Sequence, residues 1–235
     1  MKKRGMWNDG EYILFYIPRY AAVSLVAALA WNSVIYNGAI LLRRGAEMWD
    51  MTTALEEAIP LQPGWIFVYF GCFLFWGVNY ILISRRGREA WFRFLLADLL
   101  AELICGLFFL FMPTTNLRPE VMGTDFASML VRLLYQIDPA QNLFPSIHCM
   151  VSWFCFIGVR GDKRFPVWYQ AFNCLFALAV CMSTLFLKQH CIPDAVAGVL
   201  LAEATNALSQ RTSLYLPLQR LFERLRRGGG APESG

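Results

Sequence analysis

The chain has 235 residues, of which 57% are hydrophobic and 16% charged. Soluble domains carry about 45–50% apolar and roughly 25% charged residues, so these proportions exclude an ordinary soluble domain and a disordered chain. The net charge of +4 reads as a membrane-topology signal. The basic residues flank apolar runs and form no stripe interleaved with aromatics, which argues against nucleic acid as a partner.

Residues 1–20 read as a cytoplasmic or interfacial segment, with 6–19 as a candidate interfacial helix. Met1-Lys2-Lys3-Arg4 is basic. The first apolar run begins late and lacks a small-residue cleavage site, which predicts a retained helix rather than a cleaved leader. Six spans follow within residues 21–208, each long enough to approach the roughly 30 Å of hydrocarbon in a bilayer. They cover Ala21–Leu42, Trp65–Ile83, Phe94–Met112, Ser146–Val159, Pro166–Leu187 and Pro193–Leu208. A polar segment separates the first two spans, and a loop of about thirty residues runs from Pro113 to Phe144. Residues 209–235 form a basic cytoplasmic tail. Within it, Leu214–Arg227 is amphipathic and suits the inner leaflet or a solvated helix end equally, and the glycines at 228–230 read as frayed. The length suits one helical bundle, so the fold class is all-α, a polytopic bundle of six transmembrane helices.

With the N-terminus placed in the cytoplasm, sixteen of the 21 Lys and Arg fall on that side. Arg43, Arg44, Arg118, Arg132 and Lys188 fall on the other. The positive-inside rule then puts both termini in the cytoplasm, and gathers Arg118, His148 and His190 on the extracytoplasmic side.

The 7 cysteines are scattered through apolar stretches without paired spacing, as buried small hydrophobes are. Cys149 and Cys191 each follow a histidine, but at no zinc-finger spacing. No metal and no other cofactor is expected.

The only 2 histidines sit in polar islands at span edges, where a membrane protein keeps titratable groups mainly for chemistry or transport. Pro145-Ser146 opens the fourth span, and serine is a good N-cap. The helix N-terminus it caps suits a phosphate, and His148 lies in its first turn. Read alone, this island fits better as a capping serine beside an interfacial histidine. In the second island Asp194 can reach back to His190 and hold one ring nitrogen, leaving the other free. Ser183, Thr184, Lys188 and Arg118 supply hydroxyls and cations of the kind that cradle phosphate.

Pro145-Ser146-Ile147-His148 resembles the P-S-x-H signature of the type 2 phosphatidic acid phosphatase superfamily. Ser183-Thr184, five residues, His190, three residues, Asp194 resembles its S-R-x5-H-x3-D signature, with threonine for arginine. Arg118-Pro119 resembles the end of K-x6-R-P, with Phe111 at the lysine position. The resemblance covers most of residues 65–208. It implies a metal-independent membrane lipid phosphatase. His190 is then the nucleophile that forms a phosphohistidine, Asp194 its orienting partner and His148 the acid. Arg118, Ser146, Ser183, Thr184 and Lys188 are the phosphate ligands. The missing cations and the phrase Phe111-Met112-Pro113-Thr114-Thr115 also resemble the sphingolipid and inositol-phosphorylceramide synthase branch. That branch implies transfer of a phosphodiester headgroup, which carries less charge than a monoester. The short loops and this branch point to a bacterial inner membrane.

Two further classes stay open: a transporter or noncatalytic scaffold, and a metal hydrolase. Asp98 and Glu102, one turn apart, fit a proton path or a role near the pocket, but read better as an interhelical polar contact. The sequence is silent on which lipid binds and on oligomeric state.

Overall fold

The computed structural model describes residues 12, 13, 16–43, 45 and 47–228. Most of the segment 1–20, the topology residue Arg44 and the last seven positions of the tail lie outside the described residues. Six long or buried helices make the bundle: α1 (Arg19–Leu42), α3 (Ile66–Ser84), α4 (Arg88–Phe111), α6 (Ile147–Val159), α7 (Val167–Phe186) and α8 (Ile192–Arg211). They match the six apolar runs to within a few residues at most ends. The third is the exception, because α4 starts at Arg88 rather than Phe94 and takes in a turn that carries Arg88, Glu89 and Arg93 beside the buried Trp91 and Phe92. Gly87, at φ +103°, makes the left-handed turn between α3 and α4 that residues with a Cβ resist.

Four segments are long and apolar enough to cross a membrane: Arg19–Leu42, Pro63–Ser84, Arg88–Phe111 and Val167–Phe186. The other two fall short for different reasons. Helix α6 has 13 residues, about 20 Å at 1.5 Å per residue. Helix α8 has 20 residues but carries Asp194, Glu203, Thr205 and Asn206. Neither needs a lipid-facing surface all round. Helix α6 packs against α3, α7 and α8, and α8 packs against α4 and α6. Most of α6 is buried, including Met150, Phe154, Cys155 and Val159. Most of α1 instead faces outward, with Val26, Leu29, Val34 and Leu41 exposed, as suits lipid contact.

The connections hold structure that hydropathy does not reveal. The two short strands β1 (Tyr12–Ile13) and β2 (Ile17–Pro18) pair antiparallel, so the expected interfacial helix over 6–19 is corrected in its described part. The ladder leads straight into α1, whose N-cap is Pro18. Between α1 and α3 lie β3 (Trp49–Asp50) and α2 (Ala54–Ala58). Strand β3 pairs in parallel with β4 (Thr114–Thr115), which ties this connection to the long loop after α4. That loop is not irregular throughout, because it contains α5 (Phe126–Ile137). The side chain of Asp125 caps α5 by accepting from the Ser128 amide at 3.1 Å. Its other face leaves Phe126, Met129, Leu133 and Ile137 exposed.

The tail forms α9 (Tyr215–Gly228), which packs against α4 and α1. Phe222 stacks on Phe92 with ring centroids 6.2 Å apart. The Arg93 guanidinium lies 4.1 Å from the Tyr215 ring centroid. Tyr215 and Phe222 are thus buried against the bundle, while Leu214, Leu221 and Leu225 stay exposed.

Polar links gather at the bundle end opposite the histidines. Arg86 and Arg164 both bind Asp162, at 2.7 Å and 2.6 Å. Arg160 forks onto Glu203 at 2.6 Å and 2.9 Å. The Arg164 and Arg86 guanidiniums beside Asp162 outweigh its burial and hold its carboxyl well below the usual carboxylate range. Asp98 and Glu102 lie inside the bundle as interhelical contacts. Asp98 accepts from the Tyr80 hydroxyl at 2.8 Å, and Glu102 accepts from the Asn32 amide at 2.9 Å.

Candidate active site

Two helix starts build the site. Ser146 caps α6, its hydroxyl accepting from the Cys149 amide at 3.3 Å. It follows Phe144–Pro145, whose peptide is cis. Cys191 caps α8, with its own amide donating to Asp194 Oδ2 at 2.8 Å. The two starts are stitched directly, because the Ser146 amide donates to the Asp194 carbonyl at 3.0 Å. Gly198 allows this approach: a Cβ there would sit 2.5 Å from the Ser146 carbonyl oxygen.

His190 lies between α7 and α8. The chain reverses after α7 through Lys188 at φ +54°, a left-handed conformation that costs a side-chain-bearing residue strain. The Thr184 carbonyl then accepts from the amides of Gln189 at 2.8 Å and His190 at 3.2 Å. His190 Nδ1 faces Asp194 Oδ2 at 3.5 Å, longer than a well-formed hydrogen bond but close enough for strong electrostatic coupling. Asp194 is fully buried and His190 nearly so. Burial disfavours the imidazolium, yet the Asp194 carboxylate, helped by Cys149 and Asp138, outweighs it and raises the His190 pKa above the ordinary histidine value.

His148, in the first turn of α6, faces His190 with ring centroids 5.8 Å apart. An aromatic wall from α3 holds it. Tyr69 stacks on it at 4.7 Å, with Trp76 at 5.5 Å and Phe73 at 6.1 Å. Both histidines line one cavity of about 290 Å³, with Asn32, Tyr36, Asp138, Gln189 and Arg118 also in its wall. A second cavity of about 240 Å³ also has Arg118 and His190 in its wall.

Arg118 is held through both of its terminal nitrogens. Nη1 donates to the Asp138 carbonyl at 2.6 Å, and Nη2 to Gln189 Oε1 at 3.1 Å. Its guanidinium lies 4.9 Å from the Tyr135 ring centroid. Arg118 Nε, Gln189 Nε2 and Asn116 Oδ1 are buried without a protein partner. Native proteins leave few such groups open, so three around one histidine mark a place for a polar ligand.

The remaining predicted ligands divide. Ser146 is fully buried and its hydroxyl is used in capping. The Ser183 and Thr184 hydroxyls donate to the Val180 and Cys181 carbonyls of their own helix, at 2.7 Å and 2.8 Å. Neither lines the two cavities. Lys188 lines the second cavity, with Nζ donating to the Glu56 carbonyl. Sequence reasoning missed Asn116, Gln189 and Asp138. Asp138 accepts from the hydroxyls of both Tyr36 and Tyr69, the latter at 3.3 Å, and so ties Arg118's anchor to the ring that stacks on His148. Among the described residues, no group of three His, Cys, Asp or Glu is placed to ligate a metal.

No curated protein and no solved structure matches the chain significantly. A family model does, that of the PAP2 superfamily, over residues 91–216, which run from the first turns of α4 to the start of α9 and contain both histidine islands. That is more than half of the chain, and PAP2 proteins are generally phosphatases or related phosphoryl-transfer enzymes. The chain therefore belongs to the PAP2 superfamily of enzymes acting on phosphate esters, and its apolar helices make it an integral membrane protein.

Proposed function

We propose that the chain is a membrane lipid phosphatase that hydrolyses a lipid phosphate ester through a phosphohistidine on His190. The observation that carries this reading is the shared cavity. His148 and His190 face each other across 5.8 Å, and the buried Asp194 carboxylate stands 3.5 Å behind His190. Asp194 favours the tautomer with the proton on Nδ1 and leaves Nε2 free to attack phosphorus. His148 protonates the departing lipid alcohol, then takes a proton from the water that cleaves the phosphohistidine. Arg118, with Nε open, and the amides at the α6 start hold the phosphate oxygens. Tyr69, Phe73 and Trp76 offer the lipid end of the substrate an apolar wall.

In this reading α6 and α8 count as spans, residues 21–208 form the membrane domain, and both termini are cytoplasmic. The cluster of Arg86, Arg93, Arg160 and Arg164 at the far end supports that orientation, which faces the histidines away from the cytoplasm. The short connections fit a bacterial inner membrane.

A lipid phosphotransferase on the same scaffold is the second reading, and one observation favours it. The two family cation positions hold Phe111, which is 80% exposed, and Thr184, whose hydroxyl turns back into α7. A phosphodiester, with one charge fewer than a dianionic monoester, suits that shortage. The test is turnover of phosphatidic acid, a prenyl diphosphate and a diacyl phospholipid by the purified protein in chelator, with and without an alcohol acceptor. Free phosphate without acceptor supports hydrolysis, and acceptor-dependent product supports transfer. Unchanged turnover in His190→Ala or His148→Ala sinks both.

A further inference from the structure

The imidazole of His190 meets Asp194 at 3.5 Å, too far for a well-formed hydrogen bond. Its aim therefore depends on the backbone of the turn that carries it, residues 186–192. That turn includes Lys188 at φ +54°, a conformation that persists only where the surroundings hold it. Much of the hold comes from other segments. The Phe186 carbonyl accepts from the Gln62 amide at 3.0 Å, and the Leu187 carbonyl accepts from the Tyr135 hydroxyl at 3.0 Å. The Lys188 carbonyl accepts from Asn116 Nδ2 at 3.0 Å. Glu56, in the short helix α2, binds the turn on both sides of His190. Its carbonyl accepts from Lys188 Nζ, and its Oε1 accepts from the Ile192 amide at 3.1 Å. Ile192 opens α8, so its amide has no partner within that helix. Asp194 takes the preceding amide, that of Cys191, at 2.8 Å, and the next residue, Pro193, has none. Two carboxylates thus fasten consecutive amides beside the nucleophile, one from α8 itself and one from a distant connection.

Glu56 is itself held firmly. It is 6% exposed, and its second oxygen accepts from the Thr53 amide at 3.1 Å. The connection that carries it is tied to the loop of Arg118 by the β3–β4 ladder and by the Leu117 amide, which donates to the Thr52 hydroxyl at 2.9 Å. We propose that Glu56 is a positioning residue for the nucleophile. By gripping Lys188 and Ile192 it sets how close His190 Nδ1 comes to Asp194 and how Nε2 is aimed into the cavity shared with His148. This rests on the His190 reading above. Glu56 acts through the turn and not by contact with the lipid. It also lies outside residues 91–216, the stretch that matches the family. The family stretch carries the reacting groups, and a segment before it aligns them.

The test separates reach from charge, using Glu56→Asp and Glu56→Gln in the purified full chain. Diacylglycerol release from phosphatidic acid and from phosphatidylglycerol in mixed micelles is followed against pH. Glu56→Asp keeps the charge and withdraws the oxygens by one methylene. It is expected to lower kcat by about tenfold with KM within about twofold, because a misaimed nucleophile costs rate rather than binding. Asp194 then loses part of its hold on His190, so the acid limb of kcat/KM moves to lower pH. Cys149 and Asp138, which also act on His190, and His148, Arg118 and Lys188 in the cavity walls are unchanged by the substitution. Glu56→Gln loses the charge and keeps an oxygen within reach of the Ile192 amide. It is expected to keep most of kcat and leave the limb in place. The limb position and KM do not depend on how much protein folds. Full kcat in Glu56→Asp, or Glu56→Gln as damaged as Glu56→Asp, overturns the positioning role and, with His190→Ala inactive, leaves the His190 reading standing. Turnover surviving in His190→Ala, or no release from either lipid by wild type, overturns both.

Discussion

Gly198→Ala tests whether the histidine pair depends on the seam between α6 and α8. A Cβ at this position falls 2.5 Å from the Ser146 carbonyl oxygen and 3.3 Å from the Met150 amide nitrogen. Both are backbone atoms, so no side chain can rotate away, and the helices must part by about half an ångström or more to reach even a tight contact. The same seam carries the 3.0 Å bond from the Ser146 amide to the Asp194 carbonyl. It therefore fixes His148, two residues from Ser146, against Asp194 and His190. Overpacking of this kind costs about 1–3 kcal/mol of stability. Misplacing reacting groups by about 1 Å can cost 10²-fold in rate, so a kcat loss of roughly tenfold or more is expected. Gly158→Ala is the control at the other end of α6. Its Cβ meets Ile83 Cδ1 at 2.2 Å, a side-chain atom that can move. Thermal unfolding in micelles and kcat are measured for both. Gly158→Ala is expected to lower Tm while keeping kcat within about twofold. Full kcat in Gly198→Ala, or an equal kcat loss in Gly158→Ala, refutes the reasoning.

His148→Ala is expected to cut turnover of lipid esters by about 10²–10⁴-fold. A p-nitrophenyl ester, whose leaving group needs no proton, should recover most of the loss. His190→Ala should show no such recovery, and equal behaviour of the two variants argues against their unequal roles. Because His190 attacks as the neutral base and its pKa is raised, the acid limb of kcat/KM should lie above the ordinary histidine value. Asp194→Asn should move that limb to lower pH and lower the plateau, and a limb that stays in place contradicts the pairing. The same shift has a stability sign. The Asp194–His190 pair stabilises the folded state fully below the unfolded histidine pKa, and this is lost as pH rises through the raised folded value. The Tm gap between wild type and Asp194→Asn should therefore narrow from about pH 5 to pH 8. Arg118→Ala should lower kcat/KM by about 10²–10³-fold, as removal of an anion-stabilising donor does, and a loss under about threefold removes Arg118 from the phosphate site.

What hydropathy could reveal here were the long elements. Each of the six apolar runs has a charged or proline stop, and these set the ends of α1, α3, α6 and α7 to within about two residues. The start of α4 escaped because three charged residues interrupt its first two turns, where Arg93 bonds to Glu89 at 3.0 Å and to the Ser209 carbonyl at 2.6 Å. Helix α5 hid inside a polar loop, although Asp125 as cap and apolar residues at helical spacing were there to read. The two-residue strands β3 and β4 carry no period at all, and only the tertiary approach of two loops creates them. At the site, the spacing of the histidine islands located His148, His190 and Asp194. It could not show that the Ser183 and Thr184 hydroxyls turn into α7, because a helix-end hydroxyl has its own carbonyls to bind. Nor could it place Asn116 and Gln189, whose roles depend on the left-handed turn at Lys188 and on Arg118 returning from a distant loop.

Covalent phosphorylation of His190 is the step on which the proposed mechanism turns. The direct measurement is rapid alkaline quenching of the purified protein during turnover of a phosphorus-labelled lipid, followed by peptide mapping. The expected result is an alkali-stable, acid-labile label on His190 that is retained when His148→Ala is given an activated ester and is absent in His190→Ala. Label on any other residue, or full turnover with no labelled enzyme at any time point, contradicts it.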